Sequence, residues 1–189
     1  IMAATDGGKR EPKKGTAEPP VVTCGAFYGR QSAESALPLA EGARLPPGLC
    51  INYAELAGVR MVLRRAMRLS EVSGEAVHVL VLVDNENAVK MLEAVRRGAD
   101  ARTLEGHSFA LILEDMLWMV AAIEAAGGSV MTMRLSSHVG YWPNVMADAV
   151  TEAAASLEVE EPMIVTRRSL ARLRGVGGAG ATWGGNYET

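Results

Sequence analysis

The feature that most constrains the fold is an apolar run that changes, within a few residues, from the pattern of a buried strand to that of a helix. The run over 77–83 is Val-His-Val-Leu-Val-Leu-Val, a β-branched and aliphatic series typical of a strand covered on both faces. Asp84 and Asn85 follow, and either can cap the helix whose apolar spacing begins at Ala88. The sequence therefore predicts an α/β sheet with Asp84 at the end of a central strand, where ligands bind in open sheets.

The rest of the chain alternates strand and helix patterns around this run. Three strands that suggest an antiparallel meander come first, the first of them ending at Asp6 and a glycine turn. The predicted elements are a strand with its glycine turn over 1–8, strands over 21–30 and 35–45, a helix over 52–69, the strand over 77–84, helices from residue 85 and over 108–126, a strand over 129–135 and a helix over 143–157.

The regular pattern ends near residue 157. We therefore predict one domain over 1–157, followed by a C-terminal extension or linker over 158–189. Within the extension, residues 166–174 have the pattern of a short basic helix, and residues 175–189 are rich in glycine.

Composition narrows the class of protein. A chain of 189 residues that is 49% hydrophobic can bury a single core. Its apolar runs are shorter than a membrane span and it has no secretory signal pattern, so we expect an intracellular protein that is not secreted and has no membrane partner. Two cysteines without metal-site spacing agree with a reducing compartment. A net charge of -3 argues against binding nucleic acid by bulk electrostatics and leaves local basic patches.

Acidic residues stand at four element boundaries: Asp6, Glu55, Asp84 and Asp148. A single acid at such a place more often caps or solvates a helix start. A fold that gathers all four would make a cluster of oxygen ligands, and like charges packed so closely repel unless a cation neutralises them. The four positions, with a histidine loop before the last, favour a site for Mg²⁺.

Four short blocks carry a resemblance to a known family. They are Thr5-Asp6-Gly7-Gly8, Asn52-Tyr53-Ala54-Glu55-Leu56, Leu82-Val83-Asp84-Asn85, and Ser137-His138-Val139-Gly140 with Asn144 and Asp148. Together they resemble ribonuclease H, and more narrowly the ribonuclease H domain of non-LTR retrotransposon polyproteins, including those of trypanosomatids. The resemblance covers residues 1–157 in the family's order. Its most specific part is the last block, where the His, Asn and Asp keep the family's relative spacing.

The resemblance implies both a fold and an activity. The fold is an α/β, ribonuclease-H-like mixed five-stranded sheet of order 3-2-1-4-5, flanked by helices. The activity is that of an endonuclease that hydrolyses the RNA strand of an RNA/DNA hybrid with two Mg²⁺ ions, for which Mn²⁺ can substitute, and without a small-molecule cofactor. The implied setting is a retrotransposon polyprotein with a neighbouring reverse transcriptase, in a nuclear or cytoplasmic ribonucleoprotein. The alternative is a catalytically inactive ribonuclease-H-like module that binds nucleic acid or serves assembly.

The family's pattern also implies roles for individual residues. The catalytic set is Asp6, Glu55, Asp84, His138 and Asp148, of which the four acids are the metal ligands. His138 would assist proton handling or product release. The residues implied to contact nucleic acid, or able to track phosphates, are Asn52, Glu86, Asn144, Lys9 and Arg10. Glu86 departs from the Gln or Ser that is commoner at its position, and solvated charge is the plainer interpretation of Lys9 and Arg10.

One alternative alignment concerns the first metal ligand. It sets Thr23-Cys24-Gly25-Ala26 against the family's Thr-Asp-Gly-Ser, which would place Cys24 in the first ligand position and make an inactive domain. We favour Asp6, because this choice leaves residues 21–30 as the second strand. The Cys24 choice would require two further strands between residue 30 and Glu55.

Overall fold

The computed structural model describes residues 1–12, 14–29, 38–101, 107–135, 141–159 and 162–165. Its elements are β1 (Met2–Arg10), β2 (Val21–Phe27), β3 (Ala40–Leu45), α1 (Ile51–Ser73), β4 (His78–Val83), α2 (Glu86–Arg96), α3 (His107–Ala125), β5 (Ser129–Arg134), α4 (Trp142–Ala154) and β6 (Pro162–Val165).

All six strands form one mixed sheet of order β5-β4-β1-β2-β3-β6. The central pairs β1–β4 and β4–β5 are parallel, whereas β1–β2 and β2–β3 are the antiparallel meander that the sequence predicted. The first five strands therefore have the order 3-2-1-4-5, which confirms the predicted ribonuclease-H-like fold class. The buried apolar run that identified β4 lies between two parallel neighbours, as its composition requires.

The sixth strand comes from the segment predicted as an extension or linker. β6 pairs antiparallel with β3, with Ile164 opposite Glu41, and so covers what would otherwise be the edge of the sheet. A four-residue strand is too short to show a periodic pattern, which is why the sequence did not indicate it. The predicted basic helix over 166–174 and the glycine-rich stretch over 175–189 lie outside the described residues.

The glycines after Asp6 do not form the predicted turn. β1 continues to Arg10, which pairs with Val21 of β2. A Cβ atom on Gly7 would lie 2.5 Å from the backbone nitrogen of Glu55 in α1. A Cβ atom on Gly25, opposite Asp6, would lie 2.5 Å from the Thr151 hydroxyl oxygen in α4. These glycines therefore permit close packing of one helix on each face of the sheet.

The two faces of the sheet carry separate apolar clusters. On one face, α1 and α3 bury a large cluster that includes Leu56, Leu63 and Met116. On the other, α4 packs over β1, β2 and β3 with a smaller cluster that includes Phe27 and Met146. Helices α1 and α4 therefore approach β1 from opposite sides.

Within the described part of the chain, no helix has the length and apolar character needed to cross a membrane.

Candidate metal centre

Three acidic side chains meet where β1 and β4 separate. The parallel pairing of these strands ends at Thr5 and Val83, so Asp6 and Asp84 are the next residues on neighbouring strands. Glu55 reaches them from the start of α1. One carboxylate oxygen from each of the three acids lies within 4.8 Å of the other two.

The electrostatics of this carboxylate cluster, Asp6, Glu55 and Asp84, disfavour its charged form in the absence of a cation. Glu55 is only 4% exposed, and burial, reinforced by the charges of Asp6 and Asp84, raises its pKa to about 9. Burial, then the charges of Asp148 and Asp84, raises the pKa of Asp6 to about 7. Among the residues that the structure describes, the Oε2 atom of Glu55 is buried without a hydrogen-bond partner. A divalent cation would neutralise the repulsion and satisfy that oxygen, so these residues fit a hard-metal site.

The fourth predicted acid, Asp148, lies beside the cluster. It is exposed on α4, and among the described residues it is not one of the acids whose carboxylate oxygens lie within 4.8 Å of one another. Asp148 is nevertheless close enough for its charge to raise the pKa of Asp6, and the two acids line one open groove of about 200 Å³. His138, also predicted as catalytic, lies outside the described residues.

Cys24 does not share the position of Asp6. It is 1% exposed and pairs with Gly7, so it faces α1 while Asp6 and Gly25 belong to the opposite pleat of the antiparallel pair. Burial raises the pKa of the Cys24 thiol to about 12, which keeps it protonated and a poor metal ligand. The position next to Asp84 on β1 is thus occupied by a carboxylate.

Side-chain amides surround the carboxylate cluster. Asn144 of α4 is nearly buried, and its Nδ2 donates to Oδ2 of Asp84 at 3.3 Å. Asn85 caps α2, because its Oδ1 accepts from the backbone nitrogen of Ala88 at 3.1 Å, and its Nδ2 donates to Oδ1 of Asn52 at 3.3 Å. The predicted contact residue Asn144 therefore touches the cluster directly, whereas Asn52 is bonded to Asn85, the residue after Asp84.

Two residues at the site were not singled out in the sequence. The sequence pattern predicts Asn85 as a helix cap and includes it in the block around Asp84, but assigns it no role at the metal site. Thr151 is buried in α4, and its hydroxyl donates to the backbone oxygen of Asp6 at 3.3 Å. A threonine in an amphipathic helix gives no sequence signal of this kind, because the contact spans 145 positions of the chain.

The predicted charged contact residues are all engaged in ion pairs. Lys9 pairs with Glu11 at 2.8 Å, and Arg10 pairs with Glu152 at 3.2 Å. Both cations line the same groove as Asp6 and Asp148. Glu86 instead pairs with Lys90 at 2.6 Å and Arg134 at 3.0 Å, joining the start of α2 to the end of β5.

Comparison with known proteins shows similarity of structure without similarity of sequence. No family model and no curated protein matches the chain. A foamy viral protease-reverse transcriptase in complex with an RNA/DNA hybrid aligns with a TM-score of 0.58 at 12% identity, over 82% of this chain and 20% of that one. A foamy viral protease-reverse transcriptase in complex with double-stranded DNA aligns with a TM-score of 0.56 at 11% identity, over 82% and 93%. The chain thus spans about a fifth of the first of these proteins, and at such identities the likeness concerns the fold.

Proposed function

We propose that this chain is an endonuclease that hydrolyses the RNA strand of RNA/DNA hybrids with divalent metal ions. The observation that carries the proposal is the approach of Asp6, Glu55 and Asp84 to within 4.8 Å of one another, at the separation of two central parallel strands. Repulsion of this kind is costly unless cations bind there. The ribonuclease-H-like order of the sheet supports the same activity.

Each acid has a proposed part in holding two Mg²⁺ ions, with Mn²⁺ as the substitute. Asp6 and Asp84 are the central ligands, and Glu55 and Asp148 complete the two sites. When bound, such ions activate water and stabilise the charge that develops on the phosphodiester. The protein itself need supply no nucleophile. His138, on the segment before α4, assists proton transfer or product release.

The hybrid is contacted by groups around the carboxylate cluster. Asn52 offers an amide to phosphate or sugar oxygens, and Asn144 holds Asp84 while facing the same site. Lys9 and Arg10 line the groove that includes Asp6, and in this proposal they exchange their acidic partners for phosphates when the hybrid binds. Glu86 is the weakest member of this set, because a carboxylate with two cationic partners repels phosphate.

The proposed setting is a retrotransposon polyprotein, with a reverse transcriptase as the neighbouring domain, in an intracellular ribonucleoprotein. A net charge of -3 gives the chain little long-range attraction for nucleic acid, so a neighbouring domain would supply much of the affinity for the hybrid. The similar solved structures are proteins in which a reverse transcriptase is joined to a protease, which agrees with such an arrangement.

Cleavage of a labelled hybrid tests the proposal. We expect the protein with Mg²⁺ to cut the RNA strand of an RNA/DNA hybrid and to leave single-stranded RNA and double-stranded DNA intact. Asp84→Asn should abolish cleavage. Glu71→Gln is the matched control, because it neutralises an exposed acid on the same helix as Glu55 but about 24 Å away along its axis.

The outcomes separate the two functional classes. Cleavage that Asp84→Asn removes and Glu71→Gln retains supports the endonuclease. Binding of the hybrid without cleavage, at high protein concentration and with either Mg²⁺ or Mn²⁺, would identify an inactive module instead. Equal cleavage by the wild type and Asp84→Asn would show a contaminating nuclease.

A further inference from the structure

We infer that the C-terminal segment of this chain, residues 166–189, folds back over an uncovered apolar surface on β1, β4 and β5. This surface, the methionine patch, consists of Met2, Leu80, Met131 and Met133. The segment lies outside the described residues, and the proposed function gives it no part. Neither the patch nor the segment includes a residue of the carboxylate cluster, so the proposal goes beyond the proposed function.

Strand register places the four patch residues on one face of the sheet. Leu82 of β4 belongs to the apolar cluster under α4. Leu80 lies two positions before it and therefore on the same face. Met133 pairs with Leu82, while Met131 and Met2 are the two partners of Leu80. The patch therefore runs without interruption across three neighbouring strands.

The described helices leave this patch largely uncovered. Helix α4 packs mainly on β1, β2 and β3, whereas α1, α2 and α3 reach β4 and β5 from the opposite face. As a result Met131 is 64% exposed, Met2 48% and Met133 45%. These are the three exposed methionines among the described side chains. Methionine adapts its shape to a partner and is common at binding surfaces, so their grouping indicates a contact site.

The last described strand leads toward the patch. β6 runs antiparallel to β3 and hence to β1. Val165 pairs with Ala40, and the pairs across β2 carry that level to Ala4 on β1. The residue after Val165 therefore leaves β6 in the direction of Met2, two positions earlier on β1.

The segment is long enough to cross the patch. Strands lie about 4.8 Å apart, so β1 is about 14 Å from β6, and β5 is about 24 Å from it. A helix over 166–174 would extend about 14 Å and would bring Leu173 to Met2. About three extended residues then cross the remaining 10 Å to β5.

The sequence of the segment suits an apolar surface. In the helix predicted over 166–174, Leu170 and Leu173 share one face, and the other sides carry arginines at positions 167, 168, 172 and 174. Trp183 follows in the glycine-rich stretch. A thioether sulfur makes favourable contacts with an aromatic ring, so Trp183 suits the methionines of β5.

Charge and tethering favour this segment over a second copy of the chain. Glu75 is exposed three positions before β4, at the end of the sheet toward which β6 runs, and its charge suits the arginines of the segment. A segment tethered to β6 also meets the patch at an effective concentration on the order of millimolar. A second copy would meet it only at the concentration of the protein in solution.

Peroxide oxidation of the patch methionines measures whether they are covered. Hydrogen peroxide converts accessible methionines to sulfoxides, and peptide mass spectrometry gives the rate at each position. The full chain is compared with a chain truncated after Val165, which keeps β6. We expect Met131 and Met133 to oxidise several-fold faster in the truncated protein. Met116 is fully buried in α3 and should stay equally slow in both, which shows that the core is intact.

Substitutions in the full chain distinguish docking from the mere presence of the segment. Leu173→Asp combined with Trp183→Asp should remove the protection of Met131 as truncation does, because burying a carboxylate against apolar side chains is costly. Ala179→Asp combined with Ala181→Asp is the matched control. It adds the same charge between the two contact residues and should leave the protection unchanged.

Disulfide trapping tests where the segment lies. In a Cys50→Ser background, which removes the exposed thiol, Met131→Cys is combined with Trp183→Cys, and dilute protein is oxidised with copper phenanthroline. We expect an intramolecular disulfide in most molecules. The control combines Leu111→Cys with Trp183→Cys, because Leu111 is 74% exposed on α3, on the opposite face of the sheet, and should form little disulfide.

Three outcomes would overturn the inference. Equal oxidation of Met131 in the full and truncated chains would show that the segment does not cover the patch. Protection that appears only as the protein concentration rises, together with a dimer in sedimentation, would assign the patch to a second copy. Equal disulfide formation at Met131 and Leu111 would show that the segment has no preferred site. None of these measurements uses metal or hybrid, so their failure is distinguishable from failure of the proposed function.

Discussion

Glu55 is the more strongly perturbed of the two acids whose pKa burial raises. In the unfolded chain its carboxyl group and that of Asp6 titrate near pH 4, whereas in the folded chain they have pKa values of about 9 and about 7. Between about pH 4 and pH 9 the folded state therefore binds more protons than the unfolded state. The stability that these two groups contribute is complete below about pH 4 and is lost as the pH rises through 7 and 9.

This linkage predicts how the metal-free protein responds to pH. Its free energy of unfolding in EDTA, measured with urea, should fall between pH 6 and pH 9. Glu55→Gln should flatten the decline, because a neutral amide replaces the most perturbed acid. Glu71→Gln should follow the wild type. A decline equally steep in Glu55→Gln would show that other groups cause it.

Metal binding should oppose the same decline. Mg²⁺ requires deprotonated carboxylates, so its stabilising effect should increase from pH 6 to pH 9. At 100 times its dissociation constant the ion should add about 2.7 kcal/mol to the free energy of unfolding. The measurement is urea denaturation with and without Mg²⁺, and Asp84→Asn should lose the effect. Equal stabilisation of Asp84→Asn would place the bound ion elsewhere.

Gly25 sets the distance between β2 and α4. Its Cβ atom in Gly25→Ala would lie 2.5 Å from the Thr151 hydroxyl oxygen and 3.2 Å from the Ala147 carbonyl oxygen. We expect the free energy of unfolding to fall by about 1–3 kcal/mol, as is usual for overpacking.

Thr151→Ala provides the control for the overpacking. The double variant should recover part of the loss, because it removes the nearest clashing atom, although the Ala147 carbonyl remains close. Full additivity of the two substitutions in urea denaturation would contradict this account of Gly25.

At the scale of elements, β6 covers the edge that β3 would otherwise expose. Truncation after Val159 should leave the five-stranded sheet but free the backbone groups of β3 that now pair with residues 162–165. We expect a lower midpoint of urea denaturation and concentration-dependent self-association, because an uncovered edge strand is a template for another chain. Sedimentation velocity would detect the association. A truncated protein that is monomeric and equally stable would show that β6 has little effect on this edge.

The whole molecule is weakly acidic, and this limits how it can bind a hybrid. Lys9 and Arg10 are the cations at the groove, and each already has an acidic partner. If these two cations supply the phosphate contacts, the logarithm of hybrid affinity should fall against the logarithm of salt concentration with a slope of about -2.

Filter binding of hybrid to the Asp84→Asn protein, repeated at several salt concentrations, measures that slope. Lys9→Ala should reduce its magnitude by about 1, whereas Lys90→Ala, which removes a cation from α2, should not change it. A slope steeper than about -4 would require further cations at the interface.

Local patterns determined the larger features of this protein. The run over 77–83 could be recognised as a buried strand from its own residues, and the spacing of apolar residues identified the helices, because both signals depend on near neighbours in the chain. Motif blocks then predicted the order of the sheet and the acids at its centre. The sequence did not show the strand continuing through Gly7 and Gly8, because glycine pairs of this kind usually mark turns.

Contacts between distant parts of the chain decided the rest. Asp6 rather than Cys24 stands beside Asp84 because β1 pairs with β4 up to Thr5 and Val83, a register that no local pattern contains. The tertiary structure likewise brings Asn85 to α1, Thr151 to Asp6 and β6 to the edge of β3. By itself the sequence determined which residues could form the site. Only the packing of helices α1 and α4 on β1 decided which of these residues meet, because burial and charge repulsion arise from neighbours in space.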